Sequence, residues 1–234
     1  VDHPKYYEKA LNSAATTILI DKEDVVVPEG KAIIISDDPC RDYNALVRRF
    51  MPRQAWADAK PMIGEGSEVH PSVVIGAHVV IGKDCLIMPG VVIHEHTTIG
   101  DRVIIHANTV IGADSFYYKK RAGGYEKIGH TDVSVQHAAR VQLVNRLGRG
   151  SRVLEDDVEI GALCTVDRGL SADTRIGAGT KIDNHVQVGH DTLIGKRCLI
   201  AAQVGIAGCC VIEDDVTLWG QVGVPSQLTI GKGA

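Results

Sequence analysis

The chain has 234 residues, of which 44% are hydrophobic but only 4% aromatic, and its formal net charge is -4 at pH 7. That length buries a sizeable core filled by aliphatic side chains, and the small negative charge gives no general basis for nucleic-acid or membrane-surface binding. Neither a signal peptide nor an apolar run long enough to span a bilayer is present, so a cytoplasmic location is expected.

Residues 1–58 read as a small α/β domain. Ala15 to Asp21 and Lys31 to Ser36 are strand-like, and Asp38 followed by Pro39 is a helix start ahead of Leu46, Val47 and Phe50. The stretch from Met51 to Pro61 reads as a linker.

From residue 59 to 234 a different rule takes over. Ile63, Val69, Ile75, Ile81, Ile87, Ile93, Ile99, Ile105 and Ile111 put an aliphatic residue at every sixth position. The beat returns at Leu154, Ile160 and Val166, shifts once, and runs from Ile176 through Val188, Ile206 and Val224 to Ile230. A helix repeats about every 3.6 residues and a half-buried strand about every 2, so a period of six needs a short strand and a corner in each unit. Three units close a coil of about 18 residues, and stacked coils make a parallel β-helix. Glycine often follows the aliphatic residue, as at Gly64, Gly76, Gly82, Gly189 and Gly195, where a corner is expected to need positive φ or close backbone approach. The fourth residue after it is small or β-branched, as at Ser67, Cys85, Thr97 and Thr109.

One insert, around residues 113–152, interrupts the prism. Its segment from Asp114 to Lys127 gathers four of the ten aromatic residues with several charged ones, a composition suited to a ligand-contacting loop beside a groove. The later part, Gly129 to Ser151, has no evident purpose in the sequence. Val1 opens the chain without a methionine and Ala234 follows the corner glycine Gly231, so the chain is expected to be part of a longer protein. The six cysteines, Cys40, Cys85, Cys164, Cys198, Cys209 and Cys210, follow no metal-ligand spacing and are expected to be reduced, several as core thiols.

A prism with a filled interior can carry chemistry only on its outside or between packed prisms. Most of the ten histidines, including His78, His94, His96 and His106, fall at corners where exposure is ordinary. His190 is distinguished by its surroundings, Lys181 to Gly195, "KIDNHVQVGHDTLIG", with Asp183 and Asn184 one repeat upstream. That offset places the pair one side of the prism away within a chain, whereas on a trimer a residue facing a cleft can meet groups from the neighbouring chain.

The segments "VEIGALCTVDRG", "TKIDNHVQVGHDTLIG" and "LIAAQVGIAGC", with "PKYY" near the start, closely resemble the UDP-3-O-acylglucosamine N-acyltransferase family of lipid A synthesis. The resemblance implies a mainly β fold, a left-handed parallel β-helix of hexapeptide repeats with a small N-terminal α/β domain that binds uridine, assembled as a homotrimer. It implies transfer of a (3-hydroxy)acyl chain from acyl carrier protein to the 2-amine of UDP-3-O-acylglucosamine. Neither a metal nor a resident cofactor is implied, because the acyl group arrives on the phosphopantetheine of the carrier. His190 maps to the general base, Asp183 and Asn184 to the preceding Asp-Asn pair, the Gly208 amide to the oxyanion donor and Tyr6 to the ring that stacks on uracil. An imidazole titrating near neutrality suits removal of the amine proton, with an acidic neighbour such as Asp183 to hold it. The chain departs from the family pattern at His3, where Asn is usual before "PKY", and at Gln227, where many members carry a second histidine. The family's upstream phenylalanine and C-terminal helices have no counterpart in this sequence. Alternatives are another hexapeptide acyltransferase, O-acylating or acetyl-CoA dependent, which would lack the N-terminal domain, and a γ-type carbonic anhydrase with zinc on histidines such as His94, His96 and His106. A non-catalytic β-helix would leave the Asp-Asn-His pattern without a role.

Overall fold

The computed structural model describes residues 1–50, 60–127, 154–170 and 172–234. Near the N-terminus, strands Thr17–Ile20 and Ala32–Ile35 pair in parallel, and Ile18 and Ile20 are buried. The helix Pro39–Phe50 follows, with Asp38 Oδ1 accepting from Arg41 N at 3.1 Å, the N-cap that the Asp-Pro pair predicts. Of the linker expected from Met51 to Pro61, residues 51–59 lie outside the described residues.

The remainder is a parallel β-helix built from two-residue strands. Its first face carries Ile63, Ile81 and Ile99, then Leu154 as an isolated bridge, then Ile176, Ile194, Ile212 and Ile230. A second face of seven strands runs from Val69 to Leu218, and a third of seven from Ile75 to Val224. The aliphatic ladders meet inside as one core, with Ile87, Ile105, Ile160 and Ile200 wholly buried. No described helix is long and apolar enough to cross a membrane.

A Cβ at Gly64 would stand 2.4 Å from the Gly82 carbonyl oxygen, so glycine after the aliphatic residue serves the close approach of successive coils. The left-handed conformation falls two residues later instead, at Gly66 and Gly90 and at non-glycine residues such as His78, Asp84, Asn108, Asp191 and Cys209, with φ near +54 to +62°. Gly112, at the mouth of the insert, is an exception with φ +82°. Valine fills the fourth position in several coils, as at Val79, Val91 and Val103, but where it carries a hydroxyl it donates: Ser67, Thr109 and Thr180 give hydrogen bonds of 2.7–2.8 Å to the carbonyls of Gly82, Gly161 and Gly195 on the next coil. The buried thiols of Cys85, Cys164, Cys198 and Cys210 donate to the equivalent carbonyls at 3.0–3.1 Å. These four are therefore free core thiols, as expected, whereas Cys209 is exposed and Cys40 partly so.

Stacked positions lie 18 residues apart in the regular coils, 55 across the main insert and 22 across the later phase shift. The first break thus adds 37 residues (55 less 18) and the second adds four (22 less 18). Of the main insert, Tyr118–Arg121 and Gly124–Lys127 form an antiparallel hairpin. The segment Gly129 to Ser151 lies outside the described residues.

The hairpin is clamped from both sides. Arg168, only 7% exposed, donates from Nε to the Gly112 carbonyl and from a terminal nitrogen to Glu95, both at 2.7 Å, and stands 3.6 Å from Asp114. Asp114 is 3.3 Å from Lys127 of the hairpin. Toward the N-terminal elements, Arg121 pairs with Asp38 at 2.7 Å and Lys119 with Asp2.

Two outcomes test this account. Thr109 Oγ1 both donates to Gly161 O and accepts from Cys164 N at 3.1 Å, so Thr109→Val strands two buried polar groups. It should lower unfolding free energy by about 1–3 kcal/mol in denaturant titration, while Thr109→Cys, retaining a donor, should cost less. Burial alone would raise the Glu95 carboxyl, but the hydrogen bond and charge of Arg168 outweigh it and carry the group from 4.5 down to about 2. A depressed carboxyl contributes stability that is present above its unfolded value and lost as pH falls through the folded one. Melting temperature should therefore drop between about pH 4.5 and pH 2, and Glu95→Gln should flatten that part of the curve. An unchanged acid limb in Glu95→Gln would remove the clamp from the account.

Candidate active site

After the third-face strand Gln187–Val188 the chain turns through Gly189, His190 and Asp191 before Leu193–Ile194 begins the first face again. Ladder register stacks this corner on the next two, through Cys209 N to His190 O at 2.7 Å and Gln227 N to Gly208 O at 3.2 Å. Two columns result. His190, Gly208 and Ser226 form one; Asp191, Cys209 and Gln227, all left-handed, form the other.

His190 lies in the first column, 9% exposed, with Nδ1 hydrogen-bonded to Asp191 Oδ2 at 2.8 Å. A carboxylate has no proton to give, so Nδ1 donates and Nε2 keeps its lone pair. That Nε2 lies where Gly208 has no side chain: a Cβ there would be 2.5 Å from it and 2.6 Å from Cε1. Glycine at 208 is thus required by the ring beside it. Gly189 does the same for the backbone, since its Cβ would stand 2.6 Å from Gly208 N.

Asp191 is held from below by the four-residue addition. Leu170 N donates to Oδ2 at 2.9 Å and Ala172 N to Oδ1 at 2.6 Å, so the phase shift in the repeat wraps two backbone donors around this carboxylate. These amides fix the carboxylate, so the imidazole is held by a fixed acceptor.

A cavity of about 370 Å³ opens over the corner, lined among others by Phe116, Tyr117, Asp167, His190, Gly208 and Gln227. Tyr117, from the start of the insert, meets the His190 ring edge-on at 5.7 Å and 77°. Burial first, then the acidic groups of Cys40, Cys209 and Tyr6, push its phenol above the ordinary value. Asp167 is 8% exposed, and burial pushes its carboxyl up against the opposing pull of Gln187 and His190. Burial likewise pushes the Cys209 thiol up, which leaves it a poor nucleophile.

The residues singled out from sequence distribute as follows. His190, Gly208 and Gln227 share the cavity. Asp183 and Asn184 sit at the corner after the second face, where Asp183 Oδ1 accepts from Asn184 N at 2.7 Å and Asn184 Oδ1 accepts from Ala162 N at 2.7 Å. They line a separate cavity of about 490 Å³ with His106, Glu159, Lys181 and Leu199. Within this chain the acidic partner of His190 is therefore Asp191 and not Asp183, because residues seven apart turn a prism corner whereas residue 191 shares one. Tyr6 is half-exposed at the end of the short helical turn Pro4–Tyr6, with Lys5 Nζ 5.6 Å above its ring and the His3 ring 5.9 Å away. His3 Nδ1 accepts from Lys5 N at 3.2 Å, capping that turn. Of the carbonic-anhydrase histidines, His94 and His96 stand at a third-face corner and His106 at a second-face one, bonded to Glu159 at 3.1 Å, while His96 stacks on His78 at 4.6 Å. They do not converge within the chain. Asp191 and Asp167 were not singled out, and Tyr117 only as one of the aromatic residues of the insert expected beside a groove; Asp191 carried a signal as the acid directly following the histidine.

The model for bacterial transferase hexapeptide (six repeats) matches residues 78–113 and 173–208. The chain is 35% identical to a UDP-3-O-acylglucosamine N-acyltransferase of Methylobacterium sp. (strain 4-46), over all of this chain and 71% of that protein. It is 36% identical to the enzyme of that name from Campylobacter lari, over 98% of this chain and 73% of the relative. With the Methylobacterium nodulans protein of that name the identity is 46%, over 57% of this chain and 33% of the relative. Among solved structures, an Arabidopsis UDP-N-acetylglucosamine acyltransferase shares the fold, with a TM-score of 0.56 at 22% identity over 74% of this chain and 54% of that one. Repeat architecture and extended identity agree: the chain belongs to the UDP-3-O-acylglucosamine N-acyltransferase family.

Proposed function

We propose that this chain moves an acyl group from an acyl carrier protein thioester to the 2-amine of UDP-3-O-acylglucosamine, with His190 as the base. The observation that carries this reading is the His190 imidazole, oriented through Nδ1 by Asp191 at 2.8 Å, with Nε2 beside the side-chain-free Gly208. In the reaction the amine nitrogen attacks the thioester carbonyl as Nε2 takes its proton. The Gly208 N–H stabilises the oxygen as charge develops, with no methyl at Gly189 to cover it. The C–S bond then breaks, the amide remains, and the imidazolium returns its proton to the thiolate. No resident cofactor is needed, since the acyl donor carries its own activation, and every reactant is one a cytoplasmic enzyme would meet.

Uridine recognition falls to Tyr6, whose exposed ring offers a stacking surface, with His3 capping the turn that presents it. Gln227 shares the cavity in place of a second histidine and takes a binding role. Assembly as a homotrimer is supported by apolar side chains left on the outer faces, among them Val74, Leu193, Leu199 and Trp219, all more than 40% exposed. Across such an interface Asp183 and Asn184 of one chain would face the His190 cleft of the next.

His190→Ala should lower kcat by roughly 10²- to 10⁴-fold with carrier thioester and UDP-3-O-acylglucosamine, with an intact fold by circular dichroism. Gly208→Ala should act similarly by displacing the ring, Gln227→Ala should cost far less, and Tyr6→Ala should raise KM more than it lowers kcat. Near-normal turnover in His190→Ala would sink the assignment. Light scattering at micromolar concentration should give three times the chain mass, and a monomer would remove the intersubunit role of Asp183 and Asn184.

A further inference from the structure

The transfer step proposed above leaves one buried acid of the cavity without a part. Asp167 ends the strand Thr165–Asp167 at the third-face corner, is 8% exposed, and lines the same cavity as His190 and Gly208. Ladder register pairs Val166 with Val188, so the residue above Asp167 is Gly189. No side chain at that position separates the carboxyl from the corner that carries His190.

The carboxyl is held in place but poorly supplied with donors. Thr165 and Gln187 are ladder partners, and the Thr165 hydroxyl donates to Gln187 Oε1. That leaves the Gln187 amide nitrogen to donate, and it bonds to the Asp167 carboxyl. The nearby cations are committed elsewhere, Arg168 to the Gly112 carbonyl, Glu95 and Asp114, and Lys127 to Asp114. Burial therefore outweighs the pull of Gln187, His190 and Lys127, the charge of Asp114 adds to it, and the carboxyl is pushed above its ordinary value. A desolvated acceptor in this condition gains from any N–H that enters the cavity.

We infer that Asp167 receives the acceptor nitrogen and makes the site selective for an amine over a hydroxyl. The assignment rests on the 2-amine being the acceptor, as proposed above. A neutral amine has two hydrogens and one lone pair. With one hydrogen on Asp167 and the other on Nε2 of His190, the lone pair is left for the thioester carbon, so the nitrogen is aimed as well as activated. His190 takes its proton as before. Asp167 takes none, and the hydrogen it holds remains as the N–H of the product amide. A hydroxyl has a single hydrogen. Given to His190, it leaves Asp167 buried and unmet; given to Asp167, it leaves the base nothing to remove.

Calorimetric titration of the intact chain with UDP-3-O-acylglucosamine, and with the matching UDP-3-O-acylglucose that carries a hydroxyl at the 2-position, reads this preference without any variant. The wild type should bind the amine about 10- to 100-fold more tightly. Asp167→Asn should bring the two acceptors to within about threefold by weakening the amine alone, and should lower kcat/KM for it. A raised carboxyl means that the folded chain favours the protonated form, so holding the charge at neutral pH costs stability. Asn removes that charge and can still accept from Gln187, so the melting temperature at neutral pH should hold or rise. Equal binding of the two acceptors by the wild type, or binding of neither, overturns the assignment, as does an Asp167→Asn chain that weakens both alike. A wild type that prefers the amine yet transfers no acyl group from carrier thioester fails the reading of the reaction and leaves Asp167 in place. Full transfer without the preference fails Asp167 alone.

Discussion

Parallel ladder register is the constraint on which this molecule depends. Each two-residue strand is bonded to its counterpart on the next coil, so residues of equivalent phase are stacked rather than merely near. A corner residue therefore has a fixed neighbour above and below, and chemistry on the prism is organised in columns. His190 can lie flat against the wall because the position above it is Gly208; any larger residue there would collide with the ring. The filled aliphatic interior supplies the rigidity that makes such columns dependable, since a core of wholly buried isoleucines leaves little room for a coil to slide.

Vertical relations were accordingly legible in the sequence, and lateral ones were not. The six-residue beat located the faces, the core ladders and both breaks, and stacking then follows from counting. Within that regularity, the donor role of the fourth position lay hidden behind its small size: serine, threonine and cysteine share a polar hydrogen, and a volume argument does not see it. The corner glycines were read partly for φ, but their need is closeness, and the left-handed turn is given to Asp, Asn, His and Gln two residues on. Composition placed the aromatic residues of the insert beside a groove, but which of them meets His190 was out of reach because the insert has no period. Its position against His190 is set by a hairpin and by ion pairs to residues far away in sequence.

Those ion pairs show how an aperiodic insert is made part of a periodic wall. Arg168 is a nearly buried cation, which is costly unless its donors are met. Glu95 lies two coils earlier in register, the Gly112 carbonyl marks where the chain leaves the prism, and Asp114 begins the insert. The same guanidinium thus binds the prism to the base of the excursion, and Asp114 passes the connection to Lys127. Arg121 and Lys119 continue it to Asp38 and Asp2 of the N-terminal elements. The aromatic rim of the cavity is in this way tied to both the repeat and the segment that carries Tyr6.

The second break is the more instructive because it is so small. Four extra residues between Val166 and Ile176 appear in the sequence only as a change of phase, with nothing to mark a function. In the structure they supply the Leu170 and Ala172 amides to Asp191, directly beneath the imidazole. Regular coils also give corner amides to carboxylates, as Lys83 N gives to Asp101 Oδ1 and Lys196 N to Asp214 Oδ1 on the next coil. The added residues bring two such amides, from one short segment, to the carboxylate that orients His190. The repeat gives up its regularity at the place where a side chain has to be aimed.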